Sequence, residues 1–441
     1  MEVDGEGRQC TLLIASVSIV LALLAAPATM RPAEGLEDGR IGVLYVGCIA
    51  RSQPFWSMRR DPMFSINFVQ ATMRDWGARA STYQAEEGGV VRRLVRLYMP
   101  RTYASLVEGY DVVVVSNANQ FAVGAKNTEM LARAVREGGL GLFMSGGWES
   151  FGGTAGHPPW GCTSIGELLP TIDVVDIWVD NPRNLLFWDP VDVENELIAS
   201  LPWDLKSGCM TDFHHNVVQV KPGGELLARV TSTAFDSHPA MVTWRLENGV
   251  RVLALTGEIH RFSTEGVWWG YDFGVGWGYG YDFGCNTMIY VDGRPVPQDI
   301  ELVHSVRSKL LNMATRKNLL LGLLDFCDLF GANTDGMMGK VDEVDAIIAA
   351  STPKYLELRF SEVLEDYEEI EEMFVRLEVD AVKLKNRTLL WVYLVEWLAI
   401  TATVLLSGVF IWAVMVRRRL YREVGSTKLA DASSSPRRRE T

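Results

Sequence analysis

The residues best suited to chemistry in this sequence are a few acids and one histidine that follow short apolar runs. Val250–Thr256 reads as a buried strand, and it delivers Glu258 and His260 to its end. A third candidate, Glu149, stands in the glycine-rich loop Gly146–Gly147–Trp148–Glu149–Ser150–Phe151–Gly152–Gly153, directly after the apolar run Gly141–Ser145. A carboxyl and an imidazole that reach one reacting atom can act as general acid and base. The same loops offer ligand contacts: Asn117 and Asn119 as hydrogen-bonding amides, Gly146 and Gly147 for close backbone approach, and Trp148 and Ser150 as an aromatic face and a hydroxyl.

Other groups carry weaker chemistry. His214 and His215 beside Asp212, and His238 after Asp236, are metal-ligand types. They lack the helical i, i+4 spacing and a third ligand that would make a centre, so a structural role is expected and no metal or cofactor is implied. After residue 34 the cysteines are Cys48, Cys162, Cys209, Cys285 and Cys327, whose spacing fits no zinc motif and whose odd number leaves at least one thiol unpaired within the monomer. Cys48 is either an alternative nucleophile on the first loop or a buried or disulfide-bonded residue.

Residues 267–285, VWWGYDFGVGWGYGYDFGC, repeat the pentapeptide GYDFG at 270–274 and 280–284. The rings keep neither helical nor strand period. One reading is a lid over the sheet's carboxyl edge whose rings stack on a sugar or a peptide, with Trp269 and Tyr271 touching the ligand and Asp272 and Asp282 accepting hydrogen bonds from it. The other is a rigid loop packing its own rings against the domain, or an aromatic surface resting on lipid headgroups.

The elements that must position these groups are short apolar strands alternating with helices. Arg40–Gly47 reads as a parallel strand entering a loop, an amphipathic stretch Met63–Trp76 leads to a second strand near Ala78–Tyr83, and Asp111–Ser116 is a third. Helix Glu129–Glu137 ends at Gly138–Gly139 and is followed by the strand Gly141–Ser145. Met241–Leu246 and Val250–Thr256 flank Asn248–Gly249, the pair favoured in two-residue hairpin turns. Alternation of this kind predicts a doubly wound, mostly parallel α/β sheet whose ligands bind at the carboxyl ends of the strands.

At the level of motifs, DVVVVSNANQ, GLFMSGGWESFGG and GVRVLALTGEIHRF together resemble the class I glutamine amidotransferase-like superfamily over about Arg40–Phe262. The resemblance is greatest to its uncharacterised membrane-anchored branch, which carries a GG-x-x-SFGG turn. It implies a flavodoxin-like fold. In the active enzymes the strand matching Gly141–Ser145 ends in a G-x-C-x-G elbow that exposes a thiolate. Here Met144–Ser145–Gly146–Gly147–Trp148 occupies that turn and the nucleophile position falls at or near Gly146, so glutaminase activity is not expected. Ser145 is an outside candidate for a displaced nucleophile, with His260 as base and Glu258 as orienting acid; as a strand residue one place early, it would ordinarily point into the sheet.

The chain is 441 residues long with 48% hydrophobic and 22% charged residues and a net charge of −13. Its last 25 residues carry eight Lys/Arg against three Asp/Glu, so the rest is strongly acidic and nucleic-acid binding is not expected. Residues 1–34 hold a short apolar run, read as a signal peptide or N-terminal anchor. Residues 35–262 form the α/β domain, and 263–335 the aromatic lid with a helical extension. Residues 336–388 form an acidic coiled-coil stalk, in which Leu356, Phe360, Val363, Tyr367, Ile370, Phe374, Leu377, Ala381 and Leu384 repeat at spacings of four and three. That seam packs against the Val341–Ala350 helix or assembles several chains. Residues 389–416 are long enough to span a bilayer once, and Arg417, Arg418, Arg419 and Arg422 place the basic tail 417–441 in the cytoplasm.

These features describe a cell-membrane protein with an extracytoplasmic ligand-binding or scaffold domain, self-associating through its stalk, with a small molecule or saccharide as ligand. The rival is a hydrolase or carbohydrate-modifying enzyme using Glu149, Glu258 and His260. A third reading is a structural partner in an envelope or secretion complex.

Overall fold

A computed structural model describes residues 38–49, 53–72, 86–153, 157–180, 186–203, 211–212, 214–231, 237–257 and 278–432. Glu258, His260, Trp269, Tyr271, Asp272 and Cys209 lie outside the described residues. The chain divides into two compact units, one of Met1–Asn312 with Ala349–Tyr367 and one of Met313–Ile348 with Glu368–Thr441.

The first unit is mixed α/β. Its strands are β1 (Ile41–Gly47), β2 (Phe64–Gln70), β3 (Val112–Ser116), β4 (Gly141–Ser145), β5 (Thr171–Asp180), β6 (Leu186–Pro190), β7 (Thr211–Asp212), β8 (His214–Val220), β9 (Glu225–Thr231), β10 (His238–Arg245) and β11 (Arg251–Leu255). The described strands make a nine-stranded sheet in the order β2-β1-β3-β4-β11-β10-β9-β6-β7, with β5 and β8 paired separately. From β2 to β11 every neighbour is parallel. From β11 to β7 every neighbour is antiparallel.

The parallel half is buried because its strands are apolar on both faces, as the uninterrupted burial of β1, β3, β4 and β11 requires. Leu44, Val46, Val113, Val115, Leu142, Met144, Val252 and Ala254 share a core with Val95, Leu106, Leu131 and Val135 from the helices Glu86–Tyr98, Tyr103–Gly109 and Ala125–Gly138, and with Met99 just after the first of them. Helix Gly280–Asp292 packs on the same sheet, and at Gly141 of β4 the approach is close enough that a Cβ there would collide with the Val291 carbonyl. Helices thus cover both faces, the doubly wound arrangement expected for such strands.

Two local expectations are corrected. The amphipathic stretch Met63–Trp76 does not merely lead to the second strand but itself begins as β2, because Phe64, Ile66 and Phe68 alternate with Ser65 and Asn67 at the strand period; the expected strand at Ala78–Tyr83 lies outside the described residues. The β10–β11 connection is not a two-residue turn either. Gly249 alone in the turn carries a positive φ, its N–H donates to the Leu246 carbonyl, and the Leu246 N–H donates to the Val250 carbonyl, so the loop is three residues, Glu247–Gly249, closed by a left-handed glycine.

The second GYDFG copy forms the start of helix Gly280–Asp292. Tyr281, Asp282 and Phe283 are all buried, so this copy is core and not lid. Tyr281 and Tyr355 donate hydroxyl hydrogen bonds to Asp61 at 2.9 and 2.7 Å. Asp282 accepts from Arg307 at 3.1 Å and pairs with His304 at 2.6 Å, while Arg307 also donates to Asn286 at 2.9 Å. Burial pushes the Asp61 carboxyl and the Tyr281 and Tyr355 phenols up.

The second unit is helical, taking parts of the helices Ile300–Leu329, Asp335–Leu356 and Phe360–Ala432. Ile370, Phe374, Leu377 and Ala381 of the repeating seam are buried within this single chain. Arg316 shows what lies beside them: it bonds Glu378 at 2.6 and 3.0 Å and sits over the Phe374 ring. In the first unit Phe360 meets Tyr355 edge to face. Among the described residues one helix is long and apolar enough to cross a membrane, within Phe360–Tyr421, and its apolar window is wholly exposed.

Candidate functional site

The carboxyl ends of β1, β3 and β4 lie side by side because the three strands pair in register from Gly47 to Ser116 to Ser145. The loops leaving them hold most of the described residues singled out above. Asn117 follows β3 with φ 47, a left-handed conformation that asparagine tolerates better than most side chains. That turn aims its amide oxygen at the Glu149 N–H, 3.0 Å away, while its own N–H donates to the Ser150 hydroxyl at 3.0 Å. Ser150 in turn donates to the Ser145 carbonyl at 2.7 Å, so the loops after β3 and β4 are bonded together.

Glu149 is buried at the centre of this arrangement. The Asn119 amide donates to its carboxylate at 3.0 Å, and the His157 ring nitrogen Nδ1 lies 3.3 Å from the same oxygen and 3.2 Å from the Asn119 amide nitrogen. Asn119 is fixed from its other side, since its oxygen caps the short helix Gln120–Val123 by accepting from the Phe121 and Ala122 N–H groups. Trp160 closes the floor, its indole N–H shared between the carbonyls of Ala118 and Glu149 at 2.9 Å each. Phe151, fully buried, also takes φ 47, a costly conformation for a bulky residue.

The turn after β4 is built from backbone. Gly146 donates its N–H to the Leu255 and Gly257 carbonyls at 2.7 and 3.0 Å, and a Cβ at Gly146 would overlap the Thr256 carbonyl. Gly147 has φ 145, its N–H donates to Asn216 at 2.9 Å, and a Cβ there would overlap the Asn117 side chain. The Asn216 amide returns hydrogen bonds to the Gly147 and Ser150 carbonyls at 3.1 and 3.3 Å. Ser145 is buried, and its hydroxyl donates to the Gly257 carbonyl at 3.1 Å, pointing toward β11.

Of the sequence candidates, Asn117, Asn119, Ser145, Gly147, Glu149 and Ser150 therefore converge through direct hydrogen bonds, with Gly146 and Trp148 in the same loop. Cys48 is buried at the end of β1, where its N–H donates to the Ser116 carbonyl at 3.0 Å. β11 brings the chain to this turn as far as Gly257. His157 and Asn216 were missed. His157 stands in an irregular His-Pro-Pro-Trp segment with no period to place it, and Asn216 lies inside a strand, where a polar residue ordinarily faces solvent.

No group of three or more metal-ligating side chains occurs among the described residues. His215 is buried, neither of its ring nitrogens has a hydrogen-bond partner, and the His238 ring lies 5.4 Å away. Burial, and secondarily His238, lowers the His215 pKa to about 3 and keeps it neutral. No disulfide joins Cys162, Cys285 and Cys327.

No family model matches the chain, and no curated protein does. Among solved structures it is similar to a cytoplasmic protein of Salmonella typhimurium LT2, at 17% identity over 57% of this chain and 99% of that one, TM-score 0.43. A second cytoplasmic protein from Salmonella typhimurium matches at 16% identity over 56% and 98%, TM-score 0.42. The carbohydrate deacetylase Agd3 matches at 10% identity over 49% of this chain and 29% of its own, TM-score 0.32. Likenesses of this size say nothing about activity.

Proposed function

We propose that this chain is a membrane-anchored protein whose amidotransferase-like α/β domain binds a small ligand at the carboxyl edge of β3 and β4 and does not hydrolyse glutamine. The observation that carries the reading is the turn at Gly146, where a nucleophile would have to stand. Its N–H is spent on two carbonyls of the β11 end, and a side chain has no room. What remains at the edge is a set of positioned polar groups around Glu149, suited to hydrogen-bonding a polar ligand.

The flavodoxin-like reading is supported by the order β2-β1-β3-β4-β11 in the parallel half, which is the 2-1-3-4-5 order of that fold. Anchoring is supported by the exposed apolar helix, and the Arg417–Arg419 cluster at its end favours a cytoplasmic tail with the domain on the other side. Self-association through the stalk would use its outer face, because the seam is already covered; Val375, Val379 and Val382 form an exposed stripe there.

The test is a thermal-shift screen of the full chain in detergent against saccharides, amino acids including glutamine, nucleotides and divalent metals, beside an assay for ammonia release from glutamine. A ligand at about 100 times its dissociation constant stabilises by roughly 2.7 kcal/mol. The reading expects one class to raise the melting temperature of the wild type but not of Asn119→Ala, with no ammonia released. Glutamine turnover, or silence across the whole panel, would overturn it. The hydrolase alternative is favoured by one observation, the buried carboxylate of Glu149 against the His157 imidazole, a pair able to exchange a proton.

A further inference from the structure

Helix Glu86–Tyr98 carries one apolar arc that is wider than the strip its core contact buries. Val91 and Val95, with Met99 just beyond the helix, are buried in the domain core. The arc continues outward through half-buried Leu94 to Val90, Leu97 and Tyr98, at the i, i+4, i+7, i+8 spacing. Val90, Leu97 and Tyr98 are 57, 58 and 62% exposed, and Phe121, on the short helix packed beside this one, is 62% exposed. Next to that arc, also outward, stand Arg92, Arg93 and Arg96, with Arg101 just after the helix. None of these four arginines forms an ion pair among the described residues, although the chain as a whole carries a net charge of −13.

Exposed aliphatic and aromatic side chains flanked by unpaired arginines are the chemistry of a helix lying in a lipid headgroup layer, where apolar groups enter the acyl boundary and guanidinium groups meet phosphate. We propose that helix Glu86–Tyr98, with Phe121, docks on the anionic surface of the bilayer that holds the chain's own C-terminal helix. The inference rests on the reading that this apolar helix spans a membrane. Tethering is what makes so small a patch sufficient, because a surface too weak to recruit a free protein is held at high effective concentration beside its lipid. The partner is anionic, since four exposed cations with no ion pair among the described residues repel a basic one.

The experiment reconstitutes the full chain into nanodiscs of either pure phosphatidylcholine or a mixture with phosphatidylglycerol, and reads amide hydrogen exchange over residues 86–101. Incorporation is checked first by co-elution of chain and lipid. Failure to incorporate overturns the anchor and the inference with it. With the chain incorporated, slower exchange in the anionic disc than in the neutral one is expected, relieved by high salt and abolished in the triple variant Arg92→Glu, Arg93→Glu, Arg96→Glu. At roughly fivefold in surface affinity per basic side chain, the three replacements should weaken docking by on the order of a hundredfold. The melting temperature of the variant should equal that of the wild type, and Leu97→Ser offers a second variant with no charge change that should also lose protection. Equal exchange in both discs overturns the docking and leaves the anchor standing. Protection by polyglutamate but not by the anionic disc would overturn the lipid in favour of an acidic protein partner.

Discussion

Glu149 is the residue on which the competing functions diverge. It was legible in the sequence as an acid in a glycine-rich loop after a strand, but its partner His157 was not, because nothing local in His-Pro-Pro-Trp indicates that it folds back on the loop. Glu149→Gln keeps the shape and the hydrogen bond from Asn119 while removing the charge and the proton site. If the domain only binds, the change should weaken the ligand by about tenfold, the size of one charge-assisted hydrogen bond, and alter stability little. If the domain is a hydrolase, binding should survive and turnover should fall by roughly 10²–10⁴. Isothermal titration beside a turnover assay separates the two. His215 makes a prediction on pH. Its folded pKa, about 3, lies below the ordinary imidazole value, so the neutral ring favours the folded state. The contribution is therefore present above about pH 6.5 and is lost as pH falls toward 3, by up to roughly 1.4 kcal/mol per unit. In denaturant titrations between pH 7 and 4 the wild type should lose stability more steeply than His215→Gln as the solution is acidified; parallel curves would show that His215 takes no part.

Elements decide whether such residues can meet at all. The parallel strands were readable because they are continuous apolar runs, and the glycine turn after β4 was readable as the loop that leaves a strand. What could not be read was why Gly146 is glycine, since the Thr256 carbonyl that fills its Cβ space arrives from a strand more than a hundred residues later. Gly146→Ala should thus destabilise by about 1–3 kcal/mol, the overpacking cost of a core, although the new group is a single methyl. A melting temperature within a degree of wild type would mean that the turn relaxes freely. The second GYDFG copy shows the opposite limit, for its composition suggested a lid while its aromatic rings and acid pin a helix. Asp282 and Arg307 are both buried, and removing one ion leaves the other uncompensated. Arg307→Met should accordingly cost about 3–5 kcal/mol, whereas Arg307→Met combined with Asp282→Leu should recover part of that loss. Chemical denaturation of both variants checks the pair; equal losses would remove the ionic explanation.

At the scale of the whole molecule, the sequence pattern led to a mostly parallel α/β domain, the β10–β11 hairpin and a long helix, but not to β9, β6 and β7 of the antiparallel half, because short strands joined by irregular segments leave no alternating period to follow. The heptad seam was visible as a pattern, yet a pattern cannot say which chain covers it, and here the chain covers much of it itself. The apolar helix has no such cover. Leu398, Ile400, Val404, Leu405, Leu406, Val409, Phe410, Ile411 and Trp412 are all exposed, and at roughly 1.5–3 kcal/mol for each large apolar side chain kept in water, a soluble existence for this segment is unfavourable by more than ten kcal/mol. A bilayer removes that cost without any partner protein. The full chain should therefore remain in the membrane pellet through an alkaline carbonate wash, and removal of residues 389–441 should release it to the supernatant. A charge at mid-span provides the sharper test, because Leu405→Arg leaves length and fold alone while adding about 3 kcal/mol to insertion. Partial release of that variant, with none from Leu405→Ala, is the outcome an anchoring helix demands; retention of the shortened chain in the pellet would instead place the membrane contact elsewhere in the protein.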